Sequence, residues 1–156
     1  MKITKILWPT DLSRSSSAAL PYVLDFAAKY GAEVVLLYVA EDMSGHEPWY
    51  GEWGKKHLEE FHRWIVAEAT ERLDKICREK LQGCPRFQRL VLGGDPAKRI
   101  LETIESEGID LVVMTAHGLK GHFPFGSVAE KVVRNAKVPV LMIRPQTSGD
   151  GQGVLS

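Results

Sequence analysis

Cysteine is nearly missing from this chain: Cys77 and Cys84 are the only two in 156 residues. A disulfide framework of the kind that staples small secreted domains is therefore excluded. The expectation is two reduced thiols, one on a helix and one in the turn after it, with a single bridge between them as the alternative. Excess charge is missing too, since 20 basic and 20 acidic side chains cancel. That argues against a nucleic-acid surface built on positive charge. No apolar run approaches the roughly 18–20 residues that span a bilayer, and the amino terminus carries no signal-peptide core, so the expected compartment is the cytoplasm. Internal repeats, low-complexity tracts and dividing linkers are also absent. What remains is an ordinary globular composition, 44% apolar and 26% charged, long enough to bury a substantial core. One domain is expected over residues 1–145, with the polar, glycine-rich segment 146–156 as a disordered tail.

The patterning alternates between two periods. Lys5-Ile6-Leu7-Trp8 is a short apolar run that stops at Pro9, as a buried first strand would. After the turn Pro9-Thr10-Asp11, Ser13 is the expected N-cap of a helix whose apolar face is Leu20, Val23, Leu24, Ala27 and Ala28, closed by Gly31. Val34 to Val39 is a second buried strand. From about Lys55 to Leu81, Leu58, Phe61, Ile65, Ala69, Leu73 and Ile76 recur at helical spacing. Phe87 to Leu92 reads as a third strand. Gly93-Gly94-Asp95-Pro96 then supplies a turn, an Asp N-cap and a proline at the first helical position, for a helix carrying Ile100, Leu101 and Ile104 and ending near Gly108. Strand and helix in regular alternation predict an α/β fold: an open, doubly wound, five-stranded parallel sheet with helices on both faces and right-handed crossovers.

The stretch Leu111 to Arg144 is the most informative. Leu111 to Met114 and Val138 to Ile143 are continuous apolar runs, and between them a helix with Val128, Val132, Val133 and Ala136 on its periodic face is expected to begin near Ser127, just after Gly126. Unpaired N–H groups at a helix start attract an anion, and Gly118 and Gly121 upstream let the backbone approach one closely. This stretch resembles the C-terminal half of the universal stress protein family. That family's nucleotide loop reads Gly, two residues, Gly, nine residues, Gly, then Ser or Thr. Gly118, Gly126 and Ser127 match its last three marked positions, and VAEKVVRNAKVPVLMIRP follows as its closing helix and strand do. Thr115 stands at the first glycine, and seven residues separate Gly118 from Gly126. The resemblance implies a Rossmann-like sheet of order 3-2-1-4-5, so that Pro9-Thr10-Asp11 faces the loop Thr115 to Gly126 across one crevice, with Thr10, Met114 at the end of its strand and Thr115 among the residues lining the nucleotide site.

It also implies roles. Pro9 and Asp11 match the family's turn, in which the Asp contacts the adenosine part of a nucleotide; the alternative is an Asp that stabilises the nearby helix start. Val39 falls where the family reads the adenine edge through its backbone, unless it is plain core. Gly118, Gly126, Ser127 and Val128 would cradle phosphates. His117 and His122 flank the glycines and could donate to phosphate, or be ordinary loop histidines. Phe123-Pro124-Phe125 could fold over the same crevice as a lid. The last strand would be the sheet edge through which family members form homodimers, or an edge shielded by the tail.

Other chemistries fit poorly. Gly121-x4-Gly126-Ser127 superficially resembles a P-loop but lacks its lysine. His57 and His62, with His46 nearby, are five apart and turned about 140° from each other on a helix, so they share no metal-binding face. Trp49, Tyr50, Trp53 and Trp64 suit covering a core or a partner surface better than stacking on a ligand. No activated nucleophile, Walker lysine or arginine finger is identifiable, so turnover of ATP is expected to be slow at most. The expectation is a sensor of the stress response that binds ATP or another adenine nucleotide, with magnesium held mainly by the phosphates, and an unidentified regulatory partner. The alternatives are a nucleotide-free dimeric interaction module of the same fold, and an enzyme of the wider adenine nucleotide alpha hydrolase-like superfamily.

Overall fold

Apolar runs become strands and 3.6-period stretches become helices in strict alternation. The elements are β1 Lys5–Pro9, α1 Leu20–Tyr30, β2 Glu33–Ala40, α2 Gly51–Lys80, β3 Phe87–Gly93, α3 Pro96–Ser106, β4 Leu111–Thr115, α4 Gly126–Asn135 and β5 Val140–Ile143. A computed structural model describes residues 2–13, 15–41, 51–82, 86–116 and 126–145, without the side chains of 51–53 and 55. All strand pairs are parallel, and the sheet order is β3-β2-β1-β4-β5, as the resemblance implied.

This order makes the first two crossovers run one way from β1 and the last two the other way, which puts the helix pairs on opposite faces. One core cluster joins Ile6, Trp8, Val34, Leu36 and Val113 to Val23 and Ala27 of α1 and Leu73 and Cys77 of α2. The other joins Leu7, Val35, Leu37, Val112 and Met114 to Ala97, Ile100 and Ile104 of α3 and Ala129 and Val132 of α4. Alternate residues of one strand thus feed both clusters, which is why the central strands read as unbroken apolar runs. Each fully buried Leu or Val contributes about 1.5–3 kcal/mol.

Helix ends follow local chemistry. Asp95 caps α3, its side chain accepting from the Lys98 amide at 3.0 Å, with Pro96 in the first turn. Gly31 ends α1 at φ +61°, and the next amide, Ala32 N, donates to Ala27 O at 3.0 Å. The left-handed backbone there favours glycine.

Several boundaries and faces differ from expectation. Ser13 does not cap an α-helix directly. Its Oγ accepts from Ser16 N at 3.1 Å, and a 3₁₀ turn, Ser16–Ala19, intervenes before α1. Ala28 of α1 and Phe61 of α2 are exposed, as is Val133 of α4, while Ala129 sits inside. The period was right, but each inward stripe is narrower than the apolar positions available. β5 begins at Val140, not Val138: Pro139 has no N–H for the ladder and contributes only its carbonyl, to Val112 N at 3.0 Å. α2 starts four residues earlier than Lys55. Its buried positions among the described ones are Gly54, Ala69, Leu73 and Cys77, whereas none is buried from 56 to 68. At about 45 Å it outruns the sheet. His62 packs 3.6 Å from where a Gly93 side chain would begin, at the last residue of β3, so the turns of α2 before it rise past the sheet's carboxyl edge. Trp64, just after His62, is 61% exposed and stacks on Phe61. Trp49, Tyr50, His46, Cys84 and the tail 146–156 lie outside the described residues, as does the Trp53 side chain. Cys77 is a buried thiol.

At the amino edge one carboxylate ties two strands together. Asp110 Oδ2 accepts from Thr4 N at 2.8 Å, Thr4 Oγ1 at 2.8 Å and Lys5 N at 3.1 Å. The Thr4 amide bond, then the Thr4 hydroxyl, the Lys5 amide and the Lys5 charge, hold its pKa below the ordinary 3.8 against the opposing effect of burial. A lowered folded-state pKa stabilises the fold above the unfolded value, and this stabilisation is lost as pH falls through the folded value. Asp110→Asn should therefore lower stability in urea unfolding at neutral pH, by about 0.5–1 kcal/mol because the carboxylate is largely solvated. The gap from the parent should close as pH falls through the folded-state value, below the ordinary carboxylate range; an equal gap at neutral and acid pH would contradict this assignment.

Candidate functional site

β1, the central strand, ends before its neighbours do. Its ladder with β2 stops at Pro9↔Leu37, and Thr10 N donates a last bond to Leu37 O at 2.8 Å. β2 runs on, with Tyr38, Val39 and Ala40 paired to β3. On the other side β1 pairs with β4 only at Ile6↔Leu111 and Leu7↔Val112. β4 itself continues with β5 to Thr115↔Ile143, where Ala116 N donates to Ile143 O at 2.8 Å. The sheet therefore opens between the carboxyl ends of β1 and β4, where the connections diverge to opposite faces. Open parallel sheets take their ligands at such a point.

The turn after β1 is held by its own polar side chains. Leu12 has φ +64°, the one positive value for a non-glycine among the described residues, a conformation that costs about 1–2 kcal/mol. Three bonds surround it: Leu12 N donates to Thr10 Oγ1 at 3.0 Å, Ser13 N to Asp11 Oδ1 at 2.8 Å, and Arg72 Nη2 of α2 to Leu12 O at 2.9 Å. Ser16 Oγ donates to Ser13 O at 2.8 Å, so the 2.8 Å contact between Thr10 Oγ1 and Ser16 Oγ has Thr10 as donor. Thr10 is buried with its hydroxyl committed to this network, and Asp11 is exposed. Asp11 thus shapes the turn before the 3₁₀ helix while facing solvent at the crevice. Beside it, burial raises the pKa of the Tyr38 phenol; Arg72 works against that rise, and Asp11 and Glu41 add to it. One phenol therefore senses both the carboxylate and the guanidinium at the rim.

The facing wall comes from β4 and α4. Met114 and Thr115 are buried, Met114 in the α3/α4 cluster. Thr115 is a strand residue with a register partner in β5 and no left-handed backbone, a setting that suits a β-branched side chain. Gly126 opens α4 at φ +68°, with Ser127 exposed and Val128 half-buried. The first amides of α4 sit at the positive end of its dipole. Val39 is half-buried against the α3/α4 cluster, and Pro9 is half-buried at the end of β1. His117, Gly118, Gly121, His122 and the segment 123–125 lie outside the described residues. Among the described residues no group of three or more His, Cys, Asp or Glu could hold a metal ion, and no helix is long and apolar enough to cross a membrane.

The sequence profile of the universal stress protein family matches residues 2–144. The chain belongs to that family. It is similar to universal stress protein MJ0577 of Methanocaldococcus jannaschii, 29% identical over an aligned span of 156 positions, gaps included, that covers 92% of this chain and 96% of that protein. The solved structure of MJ0577 superposes with a TM-score of 0.81, covering 95% of this chain and all of the other at 27% identity. UspA of Lactobacillus plantarum gives a TM-score of 0.81 at 26% identity over 92% of this chain and 99% of its own. Two more distant neighbours share the fold: a universal stress protein in complex with cAMP, 21% identical with a TM-score of 0.62, and one from Archaeoglobus fulgidus in complex with dAMP, 18% identical with a TM-score of 0.66.

Within this universal stress protein, Leu12, Arg72 and Tyr38 had no local signal. Leucine does not announce a left-handed turn, and Arg72 lies 60 positions away from the carbonyl it meets. The serine-rich run after Asp11 did carry a hint, since Ser, Thr and Asp side chains favour local bonds to nearby amides. Thr10→Val should cost about 1–3 kcal/mol, because Leu12 N loses its acceptor and the buried Ser16 hydroxyl its donor. Gly126→Ala should cost about 1–2 kcal/mol through its positive φ alone. Chemical denaturation of both variants checks these values, and a neutral Thr10→Val would contradict the network.

Proposed function

We propose that this universal stress protein binds an adenine nucleotide in the crevice between β1 and β4 and acts as a sensor whose occupancy changes the surface offered to partners. The observation that carries this reading is the parting of β1 from β4, which leaves Asp11 on one rim and the start of α4 on the other. The donor set suits the ligand. An exposed carboxylate at Asp11 can accept from ribose hydroxyls or an adenine amino group. The backbone of β2 beyond Leu37, at Val39, can read a base edge, since β1 no longer pairs with it. The amides and hydroxyl of Gly126, Ser127 and Val128 suit phosphate oxygens. The Thr115 position in a strand removes the need for a glycine there. The cAMP and dAMP complexes of the two distant relatives support the ligand class. The ligand in this reading is ATP or another adenine nucleotide. Magnesium would be held largely by phosphates and water.

A homodimer through β5 is part of the same proposal. β5 is a sheet edge, and its Val140, Leu141 and Met142 are only half-buried, an apolar border that favours pairing with a second chain.

Titration calorimetry with ATP, AMP and cAMP, with and without magnesium, tests the binding. Saturable binding is expected, weakened about tenfold by Asp11→Ala or Ser127→Ala, as expected for loss of one charge-assisted or phosphate contact. The absence of both heat and thermal shift with every nucleotide would favour the nucleotide-free interaction module.

A further inference from the structure

The crevice rim depends on a residue that arrives from a different layer. We infer that Arg72 of α2 is a positioning residue for the nucleotide site. It pins the Leu12 carbonyl and thereby keeps the turn 10–13 in the left-handed arrangement that presents Asp11. The inference rests on the nucleotide reading given above, but the clamp itself is visible without it.

Four observations converge. Leu12 adopts φ +64° although it is not glycine, so something outside its intrinsic preference must hold it. Its amide and its carbonyl are each engaged, the first by Thr10 Oγ1 at 3.0 Å and the second by Arg72 Nη2 at 2.9 Å. The Thr10 bond is local and comes with the turn. The Arg72 bond is tertiary and exists only when α2 is docked, which the buried neighbour Leu73, 0% exposed, ensures. Finally, Asp11 lies between these anchors in sequence, with Oδ1 bonded to Ser13 N at 2.8 Å. A rotation of the Leu12–Ser13 peptide would shift that donor, Ser13 N, and with it the carboxylate it holds. The influence of both Asp11 and Arg72 on the Tyr38 phenol places the two charges around the same part of the rim.

A positioning role has a signature that a merely structural one lacks: it should vanish when the strained residue no longer needs holding. Glycine adopts a left-handed backbone unaided. Arg72→Ala should therefore weaken adenine nucleotide binding about tenfold by lowering the fraction of protein in the competent turn. Arg72→Lys, which keeps a cationic N–H donor group, should recover part of the loss. In the Leu12→Gly background the same Arg72→Ala change should weaken binding by less than about threefold, a departure from additivity that a double-mutant cycle reads directly. Amide hydrogen exchange at Leu12 and Ser13 gives a second readout that needs no ligand: protection should fall in Arg72→Ala and be retained in Arg72→Lys. An unchanged dissociation constant in Arg72→Ala, equal losses in both backgrounds, or unchanged exchange at Leu12 and Ser13 would each overturn the inference. If the parent protein binds no adenine nucleotide, the nucleotide reading and Arg72's role toward it fall together, whereas retained exchange protection in Arg72→Ala removes the clamp alone.

Discussion

The early end of β1 is the constraint from which the site follows. A central strand in a parallel sheet normally carries its ladder as far as its neighbours do. Here Pro9 offers no N–H, Thr10 makes one last bond to Leu37 O, and the chain leaves through the left-handed Leu12. β2 and β4 continue past that point with outer partners only. Backbone groups that a longer β1 would have covered are left facing a gap, and the helices on opposite faces keep that gap from closing.

Packing and polar chemistry are divided between the two edges of the sheet. The amino edge is sealed by Asp110, whose carboxylate gathers Thr4 and Lys5, with Lys5 also within 3.8 Å of Glu107. The carboxyl edge is shaped by side chains that spend their hydrogen bonds on a turn and leave an exposed acid at its crest. The overhang of α2 adds a wall above this edge, and its Arg72 reaches back to the turn. A helix chosen only to cover the sheet would need fewer residues than the 30 of α2.

The legible part of the fold was the part set by burial. Runs such as VVLLYV and LVVM bury both faces, so their period alone marked them as strands under helices. Asp95-Pro96 and Gly31 marked helix ends because their chemistry acts within one turn of the chain. Less legible was which apolar residue on a helix faces inward: Ala28, Phe61 and Val133 satisfy the helical period yet lie outside, because inward direction depends on how each helix is rolled against the sheet. At the site, Asp11, Gly126 and Ser127 could be named from the residues and the resemblance. The strain at Leu12 and the reach of Arg72 could not.

The sequence by itself determined the alternation of elements, the double-sided burial of the strands and the family to which the motifs point, because these follow from local periods and short-range bonds. Only the tertiary structure decided that β1 and β4 part company after Leu7 and Val112, that Thr115 rests in a strand, and that a guanidinium from α2 meets the first turn. Each of these depends on residues far apart in the chain meeting once the sheet has formed, and no local pattern encodes such a meeting.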